Sequence, residues 1–237
     1  MSHKLRNIVA GSASLYHQDR RYRFSSVFNY AIKLTNIDKP RVCYVGTANG
    51  DSAEEINRFY RACSKSGIVA THLELFPMPN YTDMKKLILS QDLIWVSGGS
   101  SANLIALWKT HNLFPIFKKA WESGVVLGGN SAGSICWANA GLTDSFGLDI
   151  KPLLNDSSLL PYSSIVHYDN GVQRKQMARS LISSGKLPEA IATDDGVAVH
   201  YIDDEVYRSV SNLGNKHAYK ISRTSNGNWK ERVIKTE

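Results

Sequence analysis

From residue 41 onward the apolar positions of this chain alternate between two rhythms. Residues 41–48, Arg-Val-Cys-Tyr-Val-Gly-Thr-Ala, predict a buried strand ending in a small-residue turn. Over 51–67, Ala53, Ile56, Tyr60 and Cys63 recur at helical spacing, and Gly67 supplies the stop. The alternation continues with a strand over 69–76, a short helix over 82–91, and a strand over 93–99 that runs into Gly98 and Gly99. A long helical stretch over 102–122 is interrupted near Pro115. The next apolar run starts at Val125, passes through Gly128 and Gly129, and restarts as a helix ending around 139–141. Residues 164–167 then read as a strand and 171–182 as a helix.

Beyond residue 186 the texture changes to short strands at 190–194, 196–201, 205–210, 217–221 and 229–234, with an Asn-Gly turn within 225–228. Residues 1–40 carry only a weak pattern. Strands that alternate with helices imply parallel neighbours, because parallel strands need crossover connections. The expectation is an α/β protein with three layers: a mostly parallel sheet flanked by helices, with antiparallel strands added toward the C-terminus. No linker, internal repeat or low-complexity tract divides the chain, so one domain is expected over 1–237.

Composition narrows the class only a little. A chain of 237 residues, 43% hydrophobic and 21% charged, is long enough to bury a full core. No apolar run approaches the roughly 20 residues of a membrane helix, and the N-terminus lacks the apolar stretch of a secretory signal. Three scattered cysteines, Cys43, Cys63 and Cys136, sit in apolar patterns and predict buried reduced thiols in a cytoplasmic protein. The net charge of +7 comes from dispersed lysines and arginines, so neither a nucleic-acid nor a membrane partner is expected. No metal-ligand cluster, phosphate loop or dinucleotide fingerprint is present, and no cofactor is expected.

Chemistry concentrates at 125–133, Val-Val-Leu-Gly-Gly-Asn-Ser-Ala-Gly. Gly129-x-Ser131-x-Gly133 has the form of a strand–turn–helix elbow, which holds a serine hydroxyl on a sharp turn at the end of a parallel sheet. The alternative is a glycine-rich junction whose serine merely caps the helix. Two predicted strands end in double glycine, at 98–99 and 128–129, and in such sheets working residues gather at the carboxyl ends of strands.

A serine nucleophile needs a base, and the base an orienting acid. Among seven histidines, His3 and His17 lie in the weakly patterned region, and His72 and His111 read as surface or helix-end residues. His167 closes an apolar strand, which belongs on the sheet edge that carries the elbow. Its alternative is a core histidine bonded to backbone. Acid candidates are Asp144, Asp169, Asp194 and Asp195, the last two preceding Gly196 at the end of a strand.

At these residues the chain resembles the peptidase E family of aspartyl dipeptidases, to which cyanophycinase is related. The likeness covers about residues 41–200 and rests on Gly98-Gly99 before a helix with Asn103-Leu104, the elbow 129–133, the pair His167-Tyr168, and Ile-Ala-Thr-Asp-Asp-Gly at 191–196. It implies a fold similar to class I glutamine amidotransferase domains, with a serine in place of the cysteine. It also implies a triad in the order nucleophile, base, acid: Ser131, His167 and Asp195. Asp195 falls where the family carries glutamate before glycine, and the shorter side chain leaves Asp194 and Asp144 open for the same role. Ser100-Ser101 stands where Asn-Thr usually follows the double glycine; Ser100 and Asn130 are expected to touch substrate.

The amides of Gly99 and Ala132 are the expected oxyanion donors. Arg174 shares a helix face with Ala178, Leu181 and Ile182 and is expected to point toward His167. The resemblance gives such an arginine the substrate's aspartate side chain; its alternative is a structural ion pair. The implied activity is a serine exopeptidase acting on short peptides with N-terminal aspartate, with a homodimer allowed for. Two other readings stay open: an esterase of α/β-hydrolase type using Ser131, Asp195 and His217, and an inactive homologue that binds a small ligand or a partner.

Overall fold

The computed structural model describes residues 5–18 and 22–236, and His3 lies outside them. The chain opens with strand β1 (Asn7–Gly11), helix α1 (Ser26–Lys33), β2 (Arg41–Val45), α2 (Ala53–Cys63) and β3 (Val69–Leu73). It continues through α3 (Met84–Leu89), β4 (Leu93–Val96), α4 (Ser101–Thr110), α5 (Phe114–Glu122), β5 (Val126–Asn130) and α6 (Ala132–Ile135). Next come β6 (Ala138–Thr143), β7 (Lys151–Leu154), β8 (Leu160–Ile165), α7 (Val172–Ser183) and β9 (Ala190–Thr193). The last strands are β10 (Val197–Ile202), β11 (Glu205–Ser211), β12 (Ala218–Arg223) and β13 (Trp229–Ile234).

These strands make two sheets. The first has seven, in the order β11-β10-β1-β5-β4-β2-β3, parallel from β1 through β3 and antiparallel at β10 and β11. The second has six, in the order β13-β12-β9-β8-β6-β7, with β6, β8 and β9 parallel. The α/β class with flanking helices is as the sequence implies. The second sheet is the part that the apolar rhythm does not announce.

Both faces of the first sheet are covered, which is why its strands read as unbroken apolar runs. Val42, Tyr44, Leu93 and Trp95 face α1 and α2, where Phe28, Ile56 and Phe59 close the layer. Their neighbours Cys43, Val45, Ile94 and Val96 face the opposite way, onto Ile88, Leu104, Trp108 and Phe117 of α3 to α5. Leu160, Tyr162 and Ile191 of the second sheet join this same cluster. The far face of the second sheet, with Leu142, Ile165 and Ala192, is closed by Ala178 and Ile182 of α7.

The interruption expected near Pro115 is present: α4 and α5 are separate, with Asn112 between them in the left-handed region at φ 52° and Pro115 in the first turn of α5. Other boundaries differ from the sequence reading. The helix after the elbow is a single turn, and residues expected to finish it instead form β6. There Ala140 and Leu142 are fully buried against α7 and the strand beside it, and that packing overrides a short helical pattern. The weakly patterned N-terminus supplies β1, placed between β5 and β10 near the middle of the first sheet.

At the opposite end of β10 from the turn that leads into it, His200 bonds Tyr30 Oη through Nδ1 (2.8 Å) and Asn7 Oδ1 through Nε2 (2.9 Å). Burial pulls its imidazole down to about 4, and Arg208 adds to the effect. A free histidine titrates near 6.5, so the unfolded chain takes up this proton first. The contribution is therefore whole above about pH 6.5 and is lost as pH falls toward 4, up to about 3 kcal/mol. Melting curves of the wild type and His200→Asn between pH 7 and 4 are expected to show a shallower decline of Tm in the variant. Parallel declines would refute this.

Candidate active site

The parallel pairing of β1 with β5 sets Gly11 opposite Asn130, so Ser12 and Ser131 leave the same edge of the first sheet side by side. Ser131 sits at φ 56° and ψ −114°, a conformation that costs an L-residue on the order of 1–3 kcal/mol. Its amide donates to Gly11 O at 2.8 Å, and its carbonyl accepts from Ser134 at 2.9 Å and Ile135 at 3.1 Å, which holds the turn. The flanking glycines are steric necessities. A Cβ on Gly129 would lie 2.3 Å from Gly133 O, and one on Gly133 would lie 2.1 Å from Val96 O. Helix and strand touch backbone to backbone here, and the hydroxyl is lifted clear at the crease.

His167 follows β8 of the second sheet by two residues and is itself strained, at φ 55°. Its Nε2 lies 3.0 Å from Ser131 Oγ, and its Nδ1 bonds to Asp195 Oδ1. Asp195 belongs to the turn that carries the chain from β9 in the second sheet to β10 in the first. Nucleophile, imidazole and carboxylate thus come from three connections and join the two sheets. The ring is bonded on both nitrogens, Nδ1 to the carboxylate and Nε2 to the serine hydroxyl. With its proton on Nδ1 such a ring can take a proton from Ser131, and the carboxylate can stabilise the cation that results.

The other candidates lie elsewhere. Asp194 is buried, and its Oδ2 accepts from the His217 amide (3.1 Å) and Tyr219 Oη (3.2 Å). Asp144 is exposed and lies 3.9 Å from Arg174. His217 offers Asp194 its backbone, and Ser131 is bonded to His167 instead. Ser100 caps α4 by accepting the Asn103 amide at 3.2 Å, and Asn130 accepts from Trp95 Nε1 at 3.2 Å. Among the described residues no acceptor engages the amides of Gly99 or Ala132. Gly99, at φ 141°, packs so closely on Ala48 that a Cβ would lie 2.1 Å from its carbonyl oxygen, which fixes the turn that presents its N–H.

Arg174, in the first turn of α7, is only 7% exposed. Nη1 donates to Leu142 O at 3.2 Å, and Nε is buried with no partner. Burial lowers its pKa, while the carboxylates of Asp144 and Asp195 pull the other way. A guanidinium this poorly satisfied, beside the catalytic-looking line, gains from any carboxylate that reaches it.

One contributor has no signal in the local pattern. Ser12 Oγ accepts the His167 amide at 2.8 Å and meets Thr193 O and Oγ1 at 2.9 and 2.7 Å. It ties the histidine loop to both sheets. Among the described residues no group of three or more His, Cys, Asp or Glu could hold a metal ion, and no helix is long and apolar enough to cross a membrane.

Comparison with known proteins adds to this geometry. The family model described as Peptidase family S51 matches residues 8–208. An uncharacterized peptidase, YgaJ, of Bacillus subtilis strain 168 is 39% identical over 198 residues, covering 83% of this chain and 84% of the relative. Peptidase E of Shewanella denitrificans is 26% identical over 168 residues, covering 68% of this chain and 70% of the relative. The crystal structure of a peptidase from an acI-B1 Actinobacterium superposes with a TM-score of 0.72 at 15% identity, covering all of this chain and 96% of the other. The last likeness is one of fold.

Proposed function

Because the chain belongs to peptidase family S51, a family of serine peptidases, we propose that it removes an N-terminal aspartate from short peptides through an acyl-enzyme. The observation that carries this reading is the unbroken line from Ser131 Oγ through both nitrogens of His167 to Asp195. Ser131 Oγ attacks the scissile carbonyl carbon as its proton passes to His167 Nε2. The oxyanion is taken up by the amides of Gly99 and Ala132. The imidazolium then protonates the leaving amine, the C–N bond breaks, and the acyl ester remains on Ser131. Water, deprotonated by His167, releases the free acid and restores the serine.

Arg174 is assigned the aspartate side chain, since its unpartnered Nε and its burial suit a carboxylate ligand. Asn130 and Ser100 border the same turns and are assigned to the edge of the substrate site. Contributions from both sheets to one site support reading 1–237 as one domain. Three buried, unpaired cysteines are consistent with a reducing cytoplasm. A dipeptide library screened with the wild type and with Ser131→Ala tests the reading. Hydrolysis confined to N-terminal Asp peptides, and abolished in the variant, is expected. Cleavage of esters alone would replace the peptidase reading, and equal turnover by both proteins would remove Ser131 from the chemistry.

A further inference from the structure

Asp195 is more open than the histidine it bonds, with 48% of its side chain exposed against 31% for His167. Its side chain has only two rotatable bonds, so where its oxygen lies depends chiefly on where its backbone is held. The amide of that residue is held by one side chain. The Asp195 amide donates to Asp169 Oδ1 at 2.8 Å, and Asp169 Oδ2 pairs with Lys216 Nζ. Asp169 stands two positions after His167, so the loop that carries the imidazole also grips the main chain of its carboxylate partner.

The grip is built to last. Asp169 keeps only 19% of its side chain exposed. Burial pushes its carboxyl pKa up, yet the Lys216 ammonium and the Asp195 amide outweigh this and hold it below the usual range. Lys216 and His217 together clamp the 194–195 turn, one through Asp169 and the other through its backbone on Asp194. Nothing in the proposed chemistry uses Asp169 or Lys216.

We propose that Asp169, locked by Lys216, is a positioning residue that fixes the Asp195 backbone so that a short carboxylate reaches His167. The proposal rests on reading Ser131, His167 and Asp195 as the catalytic line. Its consequence is specific: the oxygen that accepts the Asp195 amide matters, and so does the Lys216 pairing that holds it in place. Asp169→Ala removes the acceptor and the lock, whereas Asp169→Asn keeps an oxygen for the Asp195 amide but turns an NH2 group toward the Lys216 ammonium.

Two readouts on the full chain test this. In steady-state hydrolysis of the best dipeptide, Asp169→Ala is expected to lower kcat on the order of 10- to 100-fold with KM within about twofold, the scale of a small misplacement of a catalytic group. Asp169→Asn combined with Lys216→Met, which keeps the oxygen and removes the mismatched ammonium, should recover a large part of that loss. In proton NMR without substrate, the low-field resonance of the His167 Nδ1 proton should move upfield in the alanine variant and stay nearer its wild-type position in the double variant. Lys216→Met alone, which leaves Asp169 in place but unlocked, should fall between the wild type and Asp169→Ala, so the result survives if the alanine variant fails to fold. Equal losses in Asp169→Ala and in the double variant would assign the effect to charge and overturn the proposal, as would an unchanged kcat and resonance in Asp169→Ala. If no variant hydrolyses peptides while the resonance still responds as described, the peptidase reading falls and the clamp stands.

Discussion

Replacing His167 by alanine is expected to lower kcat on the order of ten-thousand-fold, while His217→Ala stays within a few-fold of the wild type. The size follows from what the proposed mechanism asks of the ring. In that mechanism, without it the Ser131 hydroxyl keeps its proton and the leaving amine receives none, and single losses within such a unit cost nearly as much as losing the whole unit. The contrast follows from position: His167 Nε2 is 3.0 Å from Ser131 Oγ, whereas His217 serves the turn through its main chain. Steady-state kinetics on both variants, with folding checked by circular dichroism, measures this. A large loss at His217 with little at His167 would favour the esterase order of residues.

The second large effect is one of selectivity. Arg174→Met is expected to penalise peptides with N-terminal Asp about 100-fold more in kcat/KM than peptides with N-terminal Asn or Ala. A charge-assisted, bidentate hydrogen bond in a buried site is worth roughly 1.5–3 kcal/mol, which gives a factor of that order. Methionine fills a similar space along the stem, so the substitution removes the donors more than the packing. The cation is buried, with Nε unpartnered and Asp144 at 3.9 Å as its nearest carboxylate partner. Equal losses on charged and neutral peptides would make Arg174 a structural residue, and rates would then follow Tm.

How much of this was legible in the sequence depended on how local each signal was. The elbow could be read because its two glycines and its serine stand together within five residues, although the contact that demands Gly133 is with Val96 of the neighbouring strand. The break near Pro115 is local too, because proline has no amide to give a helix interior, whereas nothing in the pattern marks Asn112 as the turning point. Arg174 declared its inward face through the spacing of Ala178 and Ile182. Ser12 could not be found this way, because its partners Thr193 and His167 lie 181 and 155 positions away. Strand β1 before it is five residues long and buried throughout, too short for a periodicity to stand out.

The choice among Asp144, Asp194 and Asp195 was likewise not local. Adjacent residues on a turn point in different directions. Asp194 turns toward His217 and Tyr219, and Asp195 toward the ring, because the chain is crossing between sheets at that point. Helix α6 was overextended for a related reason. Ala138–Thr143 mixes alanine with Asn139, Gly141 and Thr143, so its local preference is weak, and the second sheet, invisible in the rhythm of the chain, makes it a strand.

The most direct test of the central claim is covalent. A fluorophosphonate whose carbon substituent on phosphorus mimics the aspartate side chain is incubated with the wild type, with His167→Ala and with Ser131→Ala, and the phosphonylated residue, formed with loss of fluoride, is mapped by peptide mass spectrometry. Modification at Ser131 in the wild type, slowed at least 100-fold without the imidazole and absent without the hydroxyl, is the result expected of an activated serine. Modification of Ser131 at the same rate with and without His167 would contradict it, because the serine would then owe its reactivity to nothing in the line that joins the two sheets.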